Sequence, residues 1–115
     1  MARVLLIDDE APLLELLKKY LERLGHEVDS AASGEKALEL FCADPKRYGL
    51  VLTDLTLPGM NGERTLAEMR RHRPRLKAII SSGYPYEPKS KDTVFLQKPF
   101  LPKMLADEIE KLLKG

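Results

Sequence analysis

The sequence predicts an α/β fold, a doubly wound five-stranded parallel sheet with helices on both faces, and three observations carry that expectation. Continuous apolar runs of strand length alternate with segments whose apolar residues recur at helical spacing. The runs lack polar alternation, as strands buried on both faces do. Asp8, Asp9, Asp54, Ser82 and Lys98 stand at or next to the ends of such runs. In a parallel sheet those ends share one edge, where ligands bind.

Residues 4–7 (Val-Leu-Leu-Ile) form the first strand. Leu13, Leu14, Leu17, Leu21 and Leu24 then recur at helical spacing, with Pro12 tolerable in a first turn and Gly25 placed as a stop. A weaker strand covers residues 28–32. Ser33 caps a helix through Ala37, Leu38 and Phe41, which Asp44-Pro45 ends. Residues 50–53 are the third strand, and Asn61 caps a helix through Leu66 and Met69 that stops before Pro74. The fourth strand covers residues 76–80 and the fifth residues 94–97. A last helix carries Leu101, Met104, Leu105, Ile109, Leu112 and Leu113 on its apolar side. This order requires right-handed crossovers.

Composition excludes several classes. A chain of 115 residues makes one domain, residues 1–115, able to bury most of the surface its unfolded form exposes. Nineteen Lys and Arg against eighteen Asp and Glu leave a net charge of +1, so neither nucleic acid nor a membrane is an expected contact. Cys42 is alone, which excludes an internal disulfide and suits a reducing cytosol. No apolar run approaches the roughly 20 residues of a membrane span, and the first run is too short for a signal peptide. A soluble, cytoplasmic protein is expected.

Asp8-Asp9 follows the first strand and Asp54 the third. Three carboxylates brought close repel one another, and a hard divalent cation removes that cost. Mg²⁺ suits such a site because it takes one or two carboxylates, keeps several waters and leaves room for phosphate oxygens. Taken alone, Asp8-Asp9 reads as a helix cap with an exposed charge; Asp54 at the matching end of another strand favours the cation site. Ser82 and Lys98, at the ends of strands four and five, add a hydroxyl and an ammonium. With Mg²⁺ they supply what the three peripheral oxygens of a phosphoryl group on a carboxylate require. Pro99 allows a cis Lys-Pro bond.

These segments, with the turn Pro58-Gly59-Met60-Asn61-Gly62 and the runs Ser81-Ser82-Gly83 and Lys98-Pro99-Phe100, resemble the receiver domain of two-component response regulators over essentially the whole chain. The resemblance implies the flavodoxin-like strand order 2-1-3-4-5 and a phosphoryl transfer onto Asp54 from a histidine kinase, a phosphotransfer domain or a small phosphodonor. It implies Mg²⁺ held by Asp9 directly, by Asp8 mainly through water, and by Asp54 and the carbonyl of Thr56. Lys98 and Ser82 would contact the phosphoryl group, Ser82 and Phe95 would form the switch pair, and Thr56 and Tyr84 would tune the lifetime of the phosphorylated form. Output would be altered binding to a downstream protein. The chain would not be a conventional enzyme, catalysing only its own phosphorylation and slow dephosphorylation. Ser-Gly-Tyr and Phe-Leu-Gln-Lys-Pro-Phe also resemble receivers appended to hybrid histidine kinases. No output domain is expected in the chain, which suits a single-domain regulator, a phosphorelay intermediate or a piece of a longer protein.

One segment departs from the family. The 15 residues between Ser82 and Lys98 leave, once the fifth strand is taken off, roughly ten for a crossover, below the dozen or so that a helical one needs. Pro85 and Pro88 restrict the segment further. The family's fourth helix, which joins strands four and five, is therefore expected to be missing or reduced to a turn. The segment is expected to be mobile without phosphate and ordered with it. That helix belongs to the family's output and dimerisation face, so a homodimer stays open and its geometry does not carry over.

Two other functions compete. A degenerate receiver would act as an unphosphorylated interaction module, against which the complete set of carboxylates, hydroxyl and lysine argues. A phosphatase of the haloacid dehalogenase type needs D-x-D-x-T after its first strand, where this chain has Asp8-Asp9-Glu10. A flavin site lacks its phosphate loop. His26 and His72 read as solvent-exposed, Arg70, Arg71, Arg73 and Arg75 as a solvated helix end, and Tyr84 and Tyr86 as loop residues available to cover the sheet face that a missing helix bares.

Overall fold

Five strands and four helices, a helix following every strand but the fourth, make up the fold in a computed structural model that describes residues 2–114. The strands are β1 (Arg3–Ile7), β2 (Glu27–Ala31), β3 (Leu50–Asp54), β4 (Ala78–Ser82) and β5 (Thr93–Gln97). The helices are α1 (Ala11–Arg23), α2 (Gly34–Ala43), α3 (Gly62–Arg70) and α4 (Pro102–Lys114). All strand pairs are parallel, in the order β2-β1-β3-β4-β5. This is the doubly wound sheet the sequence implies.

Alternating side chains of the central strands feed two cores. Leu5, Ile7, Val51 and Ile80 face Phe41 of α2 and Leu66 and Met69 of α3. Val4, Leu6, Leu52 and Ile79 face Leu17 and Leu21 of α1 and Leu105 and Ile109 of α4. Each such side chain, fully buried, stabilises the fold by about 1.5–3 kcal/mol. The caps form as expected: Ser33 Oγ accepts from Lys36 N–H at 3.1 Å and Asn61 Oδ1 from Arg64 N–H at 2.8 Å. Gly25 ends α1 with φ +97°, a conformation costly for any residue with a Cβ.

Several boundaries shift. β4 is Ala78–Ser82 instead of residues 76–80. Leu76 is fully buried, which made it resemble a strand residue, yet it ends a turn: its N–H donates to Arg73 O, and its carbonyl accepts from the Arg70 guanidinium at 2.8 Å. Ser81 and Ser82 continue the strand because their backbones pair with Asp54 and Gln97 in the interior of the sheet. The second strand starts and stops one residue earlier than expected. Leu24, Leu101 and Met104, counted as apolar-face residues, are 47%, 68% and 46% exposed, so the buried stripes of α1 and α4 are narrower than their periodicity suggests.

Residues 83–92 contain no helix. In helix, ten residues would advance only about 15 Å, leaving none for the turns at either end of a return path about as long. The segment instead forms an irregular strap of bends and turns, with Tyr86 packed against the core that Ile80 and Leu66 share. Tyr86 thus covers the bared sheet face, whereas Tyr84 is 80% exposed and does not.

The arginine run is more structural than a solvated helix end. Arg70 and Arg73 are half-buried. Arg73 donates to the carbonyls of Pro45 and Tyr48, fastening the turn after α3 to the loop before β3. Arg71 and Arg75 are exposed and pair with Glu68 and Asp92. His72 is exposed as expected, but His26 is half-buried, with its Nδ1 lacking a hydrogen-bond partner among the described residues.

Candidate functional site

Register brings the chemistry together. Ile7 pairs with Thr53, Asp54 with Ser81, and Ser82 with Gln97, so Asp8, Asp54, Ser82 and Lys98 all emerge along one edge of the sheet. Carboxylate oxygens of Asp8, Asp9 and Asp54 lie within 4.8 Å of one another. Asp8 and Asp54 are 5% and 8% exposed, while Asp9 faces solvent. The Lys98 ammonium reaches Asp8 Oδ2 at 3.1 Å, Asp54 Oδ2 at 3.3 Å and Glu10 Oε1 at 3.4 Å. The Lys98–Pro99 bond is cis.

The backbone frames this set tightly. Leu55 N–H donates to Ser81 O at 2.8 Å, Lys98 N–H to Ser82 O at 2.8 Å, and Gly62 N–H to Leu55 O at 2.9 Å. Glu10 N–H donates to Asp8 Oδ1 at 2.9 Å, which fixes one oxygen of that carboxylate. Ser82 Oγ accepts the Tyr84 N–H at 3.1 Å. Thr56 and Tyr84 are both exposed, at the turns following Asp54 and Ser82.

Burial pushes the Asp54 carboxyl above the usual carboxylate range; the Lys98 charge opposes this, the Asp8 charge adds to it, and the Thr56 amide hydrogen bond opposes it. Burial alone would lower the Lys98 ammonium, but its hydrogen bond to Asp8 and the charges of Asp8 and Asp54 together raise it. The pocket therefore holds two buried carboxylates and one firmly protonated ammonium. A hard divalent cation fits that donor set: three carboxylates converge, all oxygen ligands, with a solvent-facing side where waters complete the shell.

The structure brings together Asp8, Asp9, Asp54 and Lys98, and sets Ser82 one strand away from Asp54. Phe95 sits on β5, half-buried, with its ring 6.2 Å from that of Tyr86. Neither histidine joins the acidic cluster. Sequence reasoning missed two contributors, Glu10 and Glu35, and the physical reason for a third, Gly62. Glu10 shares Lys98, and its adjacency to Asp8-Asp9 was the available signal. Glu35 accepts the Met60 N–H at 3.2 Å and so steadies the turn after Asp54 from a helix remote in sequence. Gly62 lies so close to the Asp54 carbonyl that a Cβ would stand 2.2 Å from its oxygen.

The family description "Response regulator receiver domain" matches residues 4–110. Sensor kinase CckA of Brucella abortus is 34% identical over 119 residues, covering 98% of this chain and 13% of that protein. The chain thus spans a small part of that relative's length. Among solved structures, the receiver domain of the hybrid histidine kinase CckA superposes with a TM-score of 0.88 at 29% identity, covering 96% of this chain and 98% of that one. The response regulator TrrA of Thermotoga maritima, solved in complex with Mg²⁺-BeF, gives 0.83 at 32% identity over 97% and 99%. With the family description spanning almost all of it and the strand order in agreement, the chain belongs to the response regulator receiver domains of two-component signalling.

Proposed function

We propose that the chain is a phosphorylatable switch that accepts a phosphoryl group on Asp54 from a histidine kinase or phosphotransfer domain and passes the signal on by altered binding to another protein. The observation that supports this most is the buried Asp54 carboxylate held 3.3 Å from the Lys98 ammonium and beside the carboxylates of Asp8 and Asp9. An Asp54 oxygen attacks phosphorus, the P–N bond to the donor imidazole breaks, and the ring leaves with a proton from solvent, giving an acyl phosphate. Hydrolysis of the anhydride by water later returns Asp54 and inorganic phosphate. Lys98, already oriented by Asp8, neutralises one peripheral oxygen, and Ser82 donates its hydroxyl to another. Mg²⁺, held by Asp8, Asp9, Asp54 and the Thr56 carbonyl, supplies the remaining positive charge when bound. The TrrA complex with Mg²⁺-BeF, on a chain this similar, supports that assignment. In this reading the chain turns over no external substrate, as a conventional enzyme would, and works in the cytoplasm beside its kinase. By the family resemblance, exposed Thr56 and Tyr84, following Asp54 and Ser82, would set by their bulk how readily water reaches the acyl phosphate.

Incubation with Mg²⁺ and acetyl phosphate, followed by intact mass measurement, should show a gain of roughly 80 Da for one phosphoryl group. Asp54→Asn should abolish it. An undiminished gain in that variant would contradict the assignment. Mg²⁺ alone should raise the melting temperature by mass action, and Asp9→Ala should remove most of the rise. A melting temperature indifferent to millimolar Mg²⁺ would count against the cation site.

A further inference from the structure

We propose that Tyr86 is a positioning residue that ties Ser82 to the first turn of α3, so that displacement of Ser82 is felt at Glu63; this rests on the switch reading above. The strap of residues 83–92 begins attached to the site. Its Tyr84 N–H donates to Ser82 Oγ at 3.1 Å, and a hydroxyl that donates to a phosphoryl oxygen keeps lone pairs for that amide. The start of the strap therefore follows Ser82. A Cβ on Gly83 would meet nothing within 4 Å, so the backbone there shifts without collision.

Two residues further on, the strap is fastened at a second place. The Tyr86 hydroxyl donates to Glu63 Oε2, and Lys89 sits 3.8 Å from the other oxygen of the same carboxylate. The Tyr86 ring lies 6.2 Å from Phe95 in a tilted arrangement, 59° between planes. Tyr84, Pro85 and Glu87 face solvent and offer no comparable attachment. Beneath the strap runs a groove of about 350 Å³ lined by Leu66, Ile80 and Thr93 as well as by Tyr86, so the ring has room on one side to move. Phe95 cannot change place without altering the packing of Tyr86, and Tyr86 cannot follow without stretching or breaking its bond to Glu63. The Tyr86–Glu63 bond, made or broken, is the two-state element through which Ser82, Phe95 and α3 bias one another.

Hydrogen exchange of the intact chain, with and without Mg²⁺ plus beryllofluoride, tests this. In the unaltered protein beryllofluoride should slow exchange in residues 83–92 and, as the bond to Glu63 stretches or breaks, speed it in residues 62–66. Tyr86→Phe keeps the ring and loses the hydroxyl; it should retain the response in the strap and lose that in residues 62–66. Without beryllofluoride its strap should exchange roughly tenfold faster, as expected for losing a hydrogen bond to a charged group. Glu63→Gln in the otherwise unaltered chain, which still offers the Tyr86 hydroxyl an acceptor, should retain most of the coupling. Fluorine NMR of bound beryllofluoride serves as the control for site occupancy. If beryllofluoride binds and residues 62–66 respond equally in the unaltered protein and Tyr86→Phe, or in neither, the tether is wrong and the switch stands. If the unaltered protein binds no beryllofluoride, both readings fall.

Discussion

Gly62 sets how closely α3 can approach the strand that ends in Asp54. A Cβ there would stand 2.2 Å from Asp54 O and 3.1 Å from Thr53 Cγ2, and neither backbone nor a buried methyl can yield cheaply. Gly62→Ala should therefore destabilise the fold by about 1–3 kcal/mol and displace the Asp54 carboxylate, lowering phosphoryl uptake. Gly83→Ala, with open space around its Cβ, should change stability by no more than about 0.5 kcal/mol. Urea denaturation of the two variants checks the contrast; equal stabilities would mean that the tight approach at Gly62 relaxes freely. Asp8, Asp9, Asp54, Ser82 and Lys98 were legible in the sequence because together they fall at the ends of four strands that share one edge, although each alone reads as a cap, a turn or a loop. Glu35 was not, since its bond to the Met60 amide is visible only once α2 and the turn after β3 are side by side.

At the scale of elements, the arginines after α3 replace what regular structure would otherwise provide. Arg73 satisfies the carbonyls of Pro45 and Tyr48, in a loop with few backbone partners of its own. Arg73→Ala should cost about 1–3 kcal/mol by leaving these carbonyls short of donors, whereas exposed Arg71→Ala should cost less than about 1 kcal/mol. Denaturation midpoints that fall equally would contradict the distinction. The run was misread from sequence because clustered charges at a helix end are usually solvated, and only the tertiary positions of residues 45–48 and of Leu76 show where Arg73 and Arg70 go. The absent crossover helix was legible from chain length and two prolines, which limit backbone geometry directly. The start of β4 was not, because a buried turn residue such as Leu76 and a strand residue are equally apolar. Nor was the exposure of Leu101 and Met104, since periodicity gives the apolar face of a helix but not how much of it the sheet covers.

Across the whole molecule, the parallel sheet and its two-faced core follow from local pattern and handedness, and the strand order from the family resemblance, while the polar ties between distant segments follow from neither. Tyr48 is one such tie: buried and bonded to Asp29 at 2.7 Å, its phenol is pushed up to about 12 by burial and by that carboxylate. A folded-state value above the unfolded one, near 10, means that the folded state holds this proton more tightly. Its contribution to stability is complete below pH 10 and is lost as pH rises toward 12; Tyr86, also raised to about 12 by burial and Glu63, acts in the same sense. Tyr48→Phe should therefore show a shallower fall in urea stability between pH 9 and pH 11 than the unaltered protein; parallel curves would contradict it. At the other end of β3, the proposal is that Asp54 is the acceptor of a phosphoryl group. Borohydride reduction after incubation with Mg²⁺ and acetyl phosphate tests it most directly, because an aspartyl phosphate is reduced to homoserine. Peptide sequencing by mass spectrometry should find homoserine at position 54 and nowhere else; homoserine at Asp8, Asp9 or any other position, or at none, would contradict the account.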